Sequence, residues 1–143
     1  MNTAVFSLDP RLEQDTLFIL DGPLSRIGLM KDARFPWLIV VPRKTLAREW
    51  LDLNATEQAL LQTEINACAL ALQEKFPDGE KLNIAALGNV VSQLHVHVIL
   101  RNQHDAAWPN PVWGFGQRTL YTADAMKDLA SHLANILQSR LLP

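Results

Sequence analysis

The stretch Gln93-Leu94-His95-Val96-His97-Val98-Ile99-Leu100-Arg101 alternates polar and apolar side chains at first and then turns wholly apolar. Along a strand, side chains at i, i+2 and i+4 share one face. The spacing predicts a strand over 93–101 with Gln93, His95 and His97 in a polar row and Leu94, Val96 and Val98 behind them. The chain has four His, and three of them fall between positions 95 and 104. A row of imidazoles backed by an apolar face is a rigid platform for a site. A half-exposed strand whose solvent face happens to read Gln-His-His gives the same pattern.

Upstream, Lys81–Leu87 reads as a strand, joined to 93–101 through Gly88-Asn89 and a short connector. Before it lies the clearest helix, over 54–76. Asn54 is its cap, with Glu57 three residues on as in a capping box. Leu60, Leu61, Ile65, Cys68, Ala69, Leu72 and Phe76 then recur at steps of three and four, and Pro77-Asp78-Gly79 ends the run. Cys68 on that stripe reads as a core thiol rather than a nucleophile. Towards the N-terminus three runs, 16–22, 25–32 and 37–42, are spaced like an antiparallel meander. The first ends at Asp21-Gly22-Pro23, the second places Ile27 and Leu29 opposite Arg26 and Gly28, and the third is apolar throughout, which predicts cover on both faces. Residues 8–16 suit one or two helical turns with Asp9 as cap and Pro10 at the first position.

After the His-bearing strand, 102–119 contains Pro, Gly and the aromatics Trp108, Trp113 and Phe115, and reads as a long irregular loop. Those aromatics suit the mouth of a site or a subunit interface. Residues 122–142 form a helix capped by Thr122, with Met126, Leu129, Ala130, Leu133 and Leu137 on one face and His132 beside it. The expected architecture is α+β, an antiparallel meander with a long central helix and a C-terminal helix. A single domain over 1–143 is expected.

Composition sets limits on function. The 143 residues carry 13 Lys and Arg against 15 Asp and Glu, so a broad duplex-DNA surface is not expected. At 48% hydrophobic and 20% charged the chain is not a disordered one. One Cys excludes a disulfide framework and a four-Cys metal cluster. The start, MNTAVFSLDP, lacks the features of a signal peptide, and no run of apolar residues is long enough for a membrane span, so the expected location is cytoplasmic.

Two chemistries suit the His row. In one, a neutral imidazole attacks phosphorus while Gln93, the second His and main-chain amides near 88–92 hold the phosphoryl oxygens. In the other, His95 and His97 are two metal ligands, with His104 or Asp105 as the third. The residues themselves leave both open.

The stretch QLHVHVI, preceded by Gly88-Asn89-Val90-Val91-Ser92 and followed by Arg101, resembles the signature of the histidine triad (HIT) superfamily, His-φ-His-φ-His-φ-φ with φ apolar. The element order over roughly 15–105 is similar too, and the tail with WPNPVWG at 108–114 looks like a bacterial branch. The resemblance implies nucleotide hydrolase or nucleotidyl transferase activity at the α-phosphate, through a covalent nucleotidyl-histidine and without a metal or other cofactor. It makes His95 the nucleophile and His97 the phosphate-binding residue that assists the leaving group. It implies substrate contacts from Asn83 and Asn89, and from Phe18, Leu20 and Ile27 along the base and ribose; beside the resemblance, Trp108 in the aromatic loop is a candidate to stack on a base and Arg101 a nearby positive charge to meet a phosphate. It also implies a homodimer joined in part through the central helix. Three positions depart from the pattern: Gln93 replaces the first His, Val90 a Ser or Thr, and Trp37 a polar or His residue. Gln93 can orient a substrate or His95 but carries no titratable proton. A catalytically weak nucleotide-binding module is the alternative that this substitution raises.

Overall fold

The protein is described by a computed structural model covering residues 5–143. Met1–Ala4, the start of the stretch read for a targeting signal, lie outside the described residues. A short helix, α1 (Pro10–Asp15), leads into β1 (Thr16–Asp21), β2 (Ser25–Met30) and β3 (Trp37–Pro42). After a 3-10 turn at Trp50–Asp52 come α2 (Ala55–Lys75), β4 (Lys81–Ala85), β5 (Val96–Arg101) and α3 (Ala123–Leu141). The five strands form one antiparallel sheet in the order β1-β2-β3-β5-β4. The fold is thus the expected α+β meander with a long central helix and a C-terminal helix. Among the described residues no helix is long and apolar enough to cross a membrane.

Local chemistry sets the boundaries. Asp9 accepts from the Arg11 amide at 2.8 Å, and Pro10 opens α1, where its missing N–H costs nothing. At α2, Asn54 Oδ1 accepts from the Glu57 amide and Glu57 Oε1 accepts from the Asn54 amide, each at 2.9 Å. Burial on both faces of β3 follows from two cores. On one side, Leu38 and Val40 join Ile27, Leu29, Val96 and Val98 beneath α2 and α3, where Cys68 is fully buried. On the other, Trp37, Ile39 and Val41 pack with Phe35, Ile99, Leu12 and Val112 under α1 and the loop after β5. Burial pushes the Cys68 thiol far above its ordinary pKa, as suits a core residue.

The last strand begins later than its alternation predicts, at Val96 rather than Gln93. In the register of β3 with β5, Val40 faces Val96, so Leu94 would face Pro42. Proline offers no N–H to extend the ladder. Instead the Leu94 amide donates to the Ala47 carbonyl at 2.9 Å, and the chain leaves the sheet at that point.

Candidate active site

His97 stands on β5, opposite Ile39 on one side and Ala85 on the other. Trp37, paired with Ile99, is its diagonal neighbour and reaches across the sheet face. The indole Nε1–H of Trp37 donates to His97 Nδ1 at 3.0 Å, and that of Trp113 points at the same nitrogen from 3.4 Å. The proton of neutral His97 therefore sits on Nε2, which donates to the Leu87 carbonyl at 3.3 Å. Burial, the neighbouring His95 and only a weak opposing pull from Leu87 bring the His97 pKa down to about 4. Protonating Nδ1 would also set an N–H against two others. His97 is thus a neutral, oriented donor near pH 7.

His95 lies just before β5, with its ring centroid 5.0 Å from that of His97. Its Nδ1 is 2.7 Å from the main-chain carbonyl of Gln93, an acceptor, so Nδ1 carries the proton and donates. The lone pair is left on Nε2. Both His line a cavity of about 600 Å³, within the range of small-molecule sites. Apolar groups from α1, β2 and the loop after β5 (Leu12, Met30, Val112 and Phe115) form much of its wall, and Leu87, Asn89, Val90 and Val91 close one side.

Trp113 reaches the cavity because its loop is tied down at both ends. Arg101, 2% exposed, grips Asp105 through Nε and Nη2 at 2.6 and 2.9 Å and also donates to the Asn83 side chain and the Asn110 carbonyl. Farther on, Arg34 donates to the Phe115 carbonyl at 2.6 Å while its guanidinium holds Asp32. Burial pushes the Asp32 carboxyl up, but the Arg34 fork outweighs this and keeps it below its ordinary pKa. Phe115 is flanked by Gly114 and Gly116, at φ of 75° and 57°, a left-handed backbone that favours glycine.

The predicted contacts divide accordingly. His95, His97 and Asn89 meet at the cavity. The Gln93 side chain does not: its Oε1 accepts from the Asp9 amide at 2.8 Å and its Nε2 donates to the Ser7 carbonyl at 2.9 Å. Gln93 orients His95 through its main chain while its side chain fastens the segment before α1. Ile27 is fully buried on the helix side, and a bulge between Phe18 and Leu20 lets Leu20 pack against that same core. Phe18 is exposed beside the Arg26 guanidinium, 5.6 Å away, outside the cavity. Asn83 accepts from Arg101, which also holds Asp105, and Trp108 flanks Arg101 outside the cavity. His104 does not line the cavity, and Asp105 is held by Arg101. Among the described residues no group of three His, Cys, Asp or Glu is placed to hold a metal ion. Nothing local in the sequence marks Asp32 or Arg34 as more than strand-end and link residues, and Trp37 stands out only as the first residue of an apolar run and a departure from the family pattern. The aromatic loop was the one local signal for Trp113.

Residues 11–104, well over half of the chain, match the HIT domain family. The chain belongs to that family. Three solved structures are similar over nearly their whole lengths. A histidine triad protein from Bradyrhizobium japonicum is 45% identical, covering 96% of this chain and 99% of its own, with a TM-score of 0.87. One from Sinorhizobium meliloti 1021 is 41% identical over 95% and 97%, with a TM-score of 0.86. One from Marinobacter aquaeolei VT8 is 39% identical over 96% and 99%, with a TM-score of 0.91. At such coverage these HIT proteins share the loop after β5 and much of α3, beyond the HIT match itself. A hypothetical histidine triad nucleotide-binding protein from Sulfolobus tokodaii, 18% identical with a TM-score of 0.66, shares the fold. No curated protein matches the chain. HIT membership supports a nucleotide-binding or nucleotide-processing role.

Proposed function

We propose that the protein is a nucleotide hydrolase or nucleotidyl transferase that acts at the α-phosphate through a covalent nucleotidyl-histidine on His95. The observation that carries this reading is the held tautomer of His95. Its Nδ1–H is fixed on the Gln93 carbonyl at 2.7 Å, which leaves the Nε2 lone pair available at a cavity of nucleotide size. As Nε2 bonds to phosphorus the ring gains positive charge, and the carbonyl dipole on Nδ1–H stabilises it. His97 Nε2–H has a long bond to Leu87 that a phosphoryl oxygen can take over. The loop at 88–91 offers main-chain amides and Asn89 for the remaining oxygens. A Cβ on Gly88 would come within 2.9 Å of the Val91 carbonyl oxygen and 3.8 Å of the His95 ring, so a side chain there would displace this loop. Water then attacks phosphorus, the P–N bond breaks and its electron pair returns to His95.

Replacing His95 by Ala tests the reading. Loss of the nucleophile should lower turnover of nucleotide substrates by on the order of 10³-fold or more, with an unchanged circular dichroism spectrum. Undiminished turnover by a folded His95→Ala protein would remove the assignment. Retained nucleotide binding by a wild-type protein with no turnover would favour the binding-module alternative. A homodimer and a cytoplasmic location remain part of this proposal.

A further inference from the structure

Departure of the leaving group is the step in which this site differs from a general-acid enzyme. When His95 Nε2 bonds to the α-phosphorus, the bond from phosphorus to the leaving atom breaks and its electron pair goes with that atom. An amine or alkoxide leaving atom must receive a proton in that step, whereas a phosphate or carboxylate leaves as a stable anion without one.

Among the described residues of one chain, no side chain around the cavity is arranged to give that proton. Gln93 lies two residues before the nucleophile, but both ends of its amide are bound to Ser7 and Asp9, and an amide is not an acid. The one proton of His95 is on Nδ1, directed at the Gln93 carbonyl and away from Nε2. His97 has a single ring proton, on Nε2, because its Nδ1 accepts from the two indoles of Trp37 and Trp113. Giving up that proton would leave an imidazolate, and gaining a second would break the Trp contacts. The remaining titratable groups lining the cavity are Arg11, Arg34, Arg118, Asp15 and Asp32. The two carboxylates are held in ion pairs, Asp32 with Arg34 at 2.8 Å and Asp15 with Arg118 at 3.0 Å. His104, which could have made good the missing His, lies off the cavity.

We infer that the substrates are nucleotides whose α-phosphate carries an anhydride, either to another phosphate or to a carboxylate, and that nucleoside phosphoramidates and alkyl esters are poor substrates. This rests on the reading of His95 as nucleophile and narrows it. The bond that forms is Nε2–P, the bond that breaks is P–O, and the departing phosphate or carboxylate keeps the electron pair. Water later supplies the oxygen of the released nucleotide and its proton goes to solvent.

Single-turnover formation of the adduct isolates this step, because every substrate with the same nucleoside gives the same adduct. The probes are adenosine 5′-phosphoramidate, diadenosine polyphosphate, an acyl adenylate, and aryl esters of AMP graded in the acidity of the phenol. With no acid to assist, the rate along the aryl series should fall by about tenfold for each unit by which the phenol pKa rises, and the phosphoramidate should trail the anhydrides by on the order of 10²-fold or more. Rates that stay level along the aryl series, or a phosphoramidate that reacts as fast as the anhydrides, would overturn the inference while leaving His95 as nucleophile. No adduct from any probe would overturn both this inference and the hydrolase reading.

Discussion

Trp37 and Trp113 direct two indole N–H groups at one nitrogen of His97, and the result is a histidine fixed in tautomer and in charge. Its pKa of about 4 lies below the ordinary 6.5. Between those values the unfolded chain binds more protons at this position than the folded one, so stability rises with pH across the window and is lost as pH falls from about 6.5 towards 4. A shift of that size corresponds to about 3 kcal/mol between neutral and acid conditions, as an upper bound. Urea unfolding of the wild type and of His97→Gln between pH 4 and 7 measures it. The variant should lose much of the slope, and an equal slope in both would contradict the His97 assignment. The legibility of single residues was uneven. His95 and His97 stand out by rarity and spacing. The task of Gln93 could not be read, because its partners, Ser7 and Asp9, are more than eighty residues away in sequence.

At the scale of elements, the meander and both long helices were legible because their signals are local: caps, turn residues and periodicity of two or 3.6. The start of β5 was not, since it depends on Pro42 falling opposite Leu94, and register is a non-local property. The placement of the base-contact candidates was not legible for a related reason. Alternation assigns Ile27 to one face of β2, but only the placement of α2 and α3 shows that this face is the helix-covered one. The loop after β5 is the element whose position matters most to the site. Its first anchor is the Arg101–Asp105 pair, with both side chains at least 94% buried. Arg101→Leu leaves the Asp105 carboxylate buried without its partner and should cost about 3–5 kcal/mol. It should also release Trp113 from His97. Chemical denaturation and the hydrogen-exchange protection of residues 102–120 check both outcomes, and a loop still protected in the variant would contradict the anchoring role. Asn54→Ala, far from the site, should cost about 1 kcal/mol through the α2 cap and leave turnover unchanged.

At the scale of the whole molecule, one sheet separates two tasks. Its helix-covered face carries most of the apolar core, and its other face carries His97, Trp37 and the cavity under α1 and the loop. Strands β2, β3 and β5 contribute to both through simple alternation, so the site is built on the same rigid backbone that the core stabilises. The His95 ring is held at the end of that sheet by a main-chain carbonyl that any residue at position 93 could supply, which makes Gln93 compatible with the proposed role of His95 as nucleophile. The most direct measurement of this account is mass spectrometry of the intact protein, quenched in acid-free conditions during reaction with a dinucleoside polyphosphate or acyl adenylate. The account predicts a mass gain of one nucleotidyl group, a nucleoside monophosphate less water, located on His95 by peptide mapping and absent from His95→Ala. An adduct on another residue, or turnover of these substrates with no adduct at any time, would contradict it.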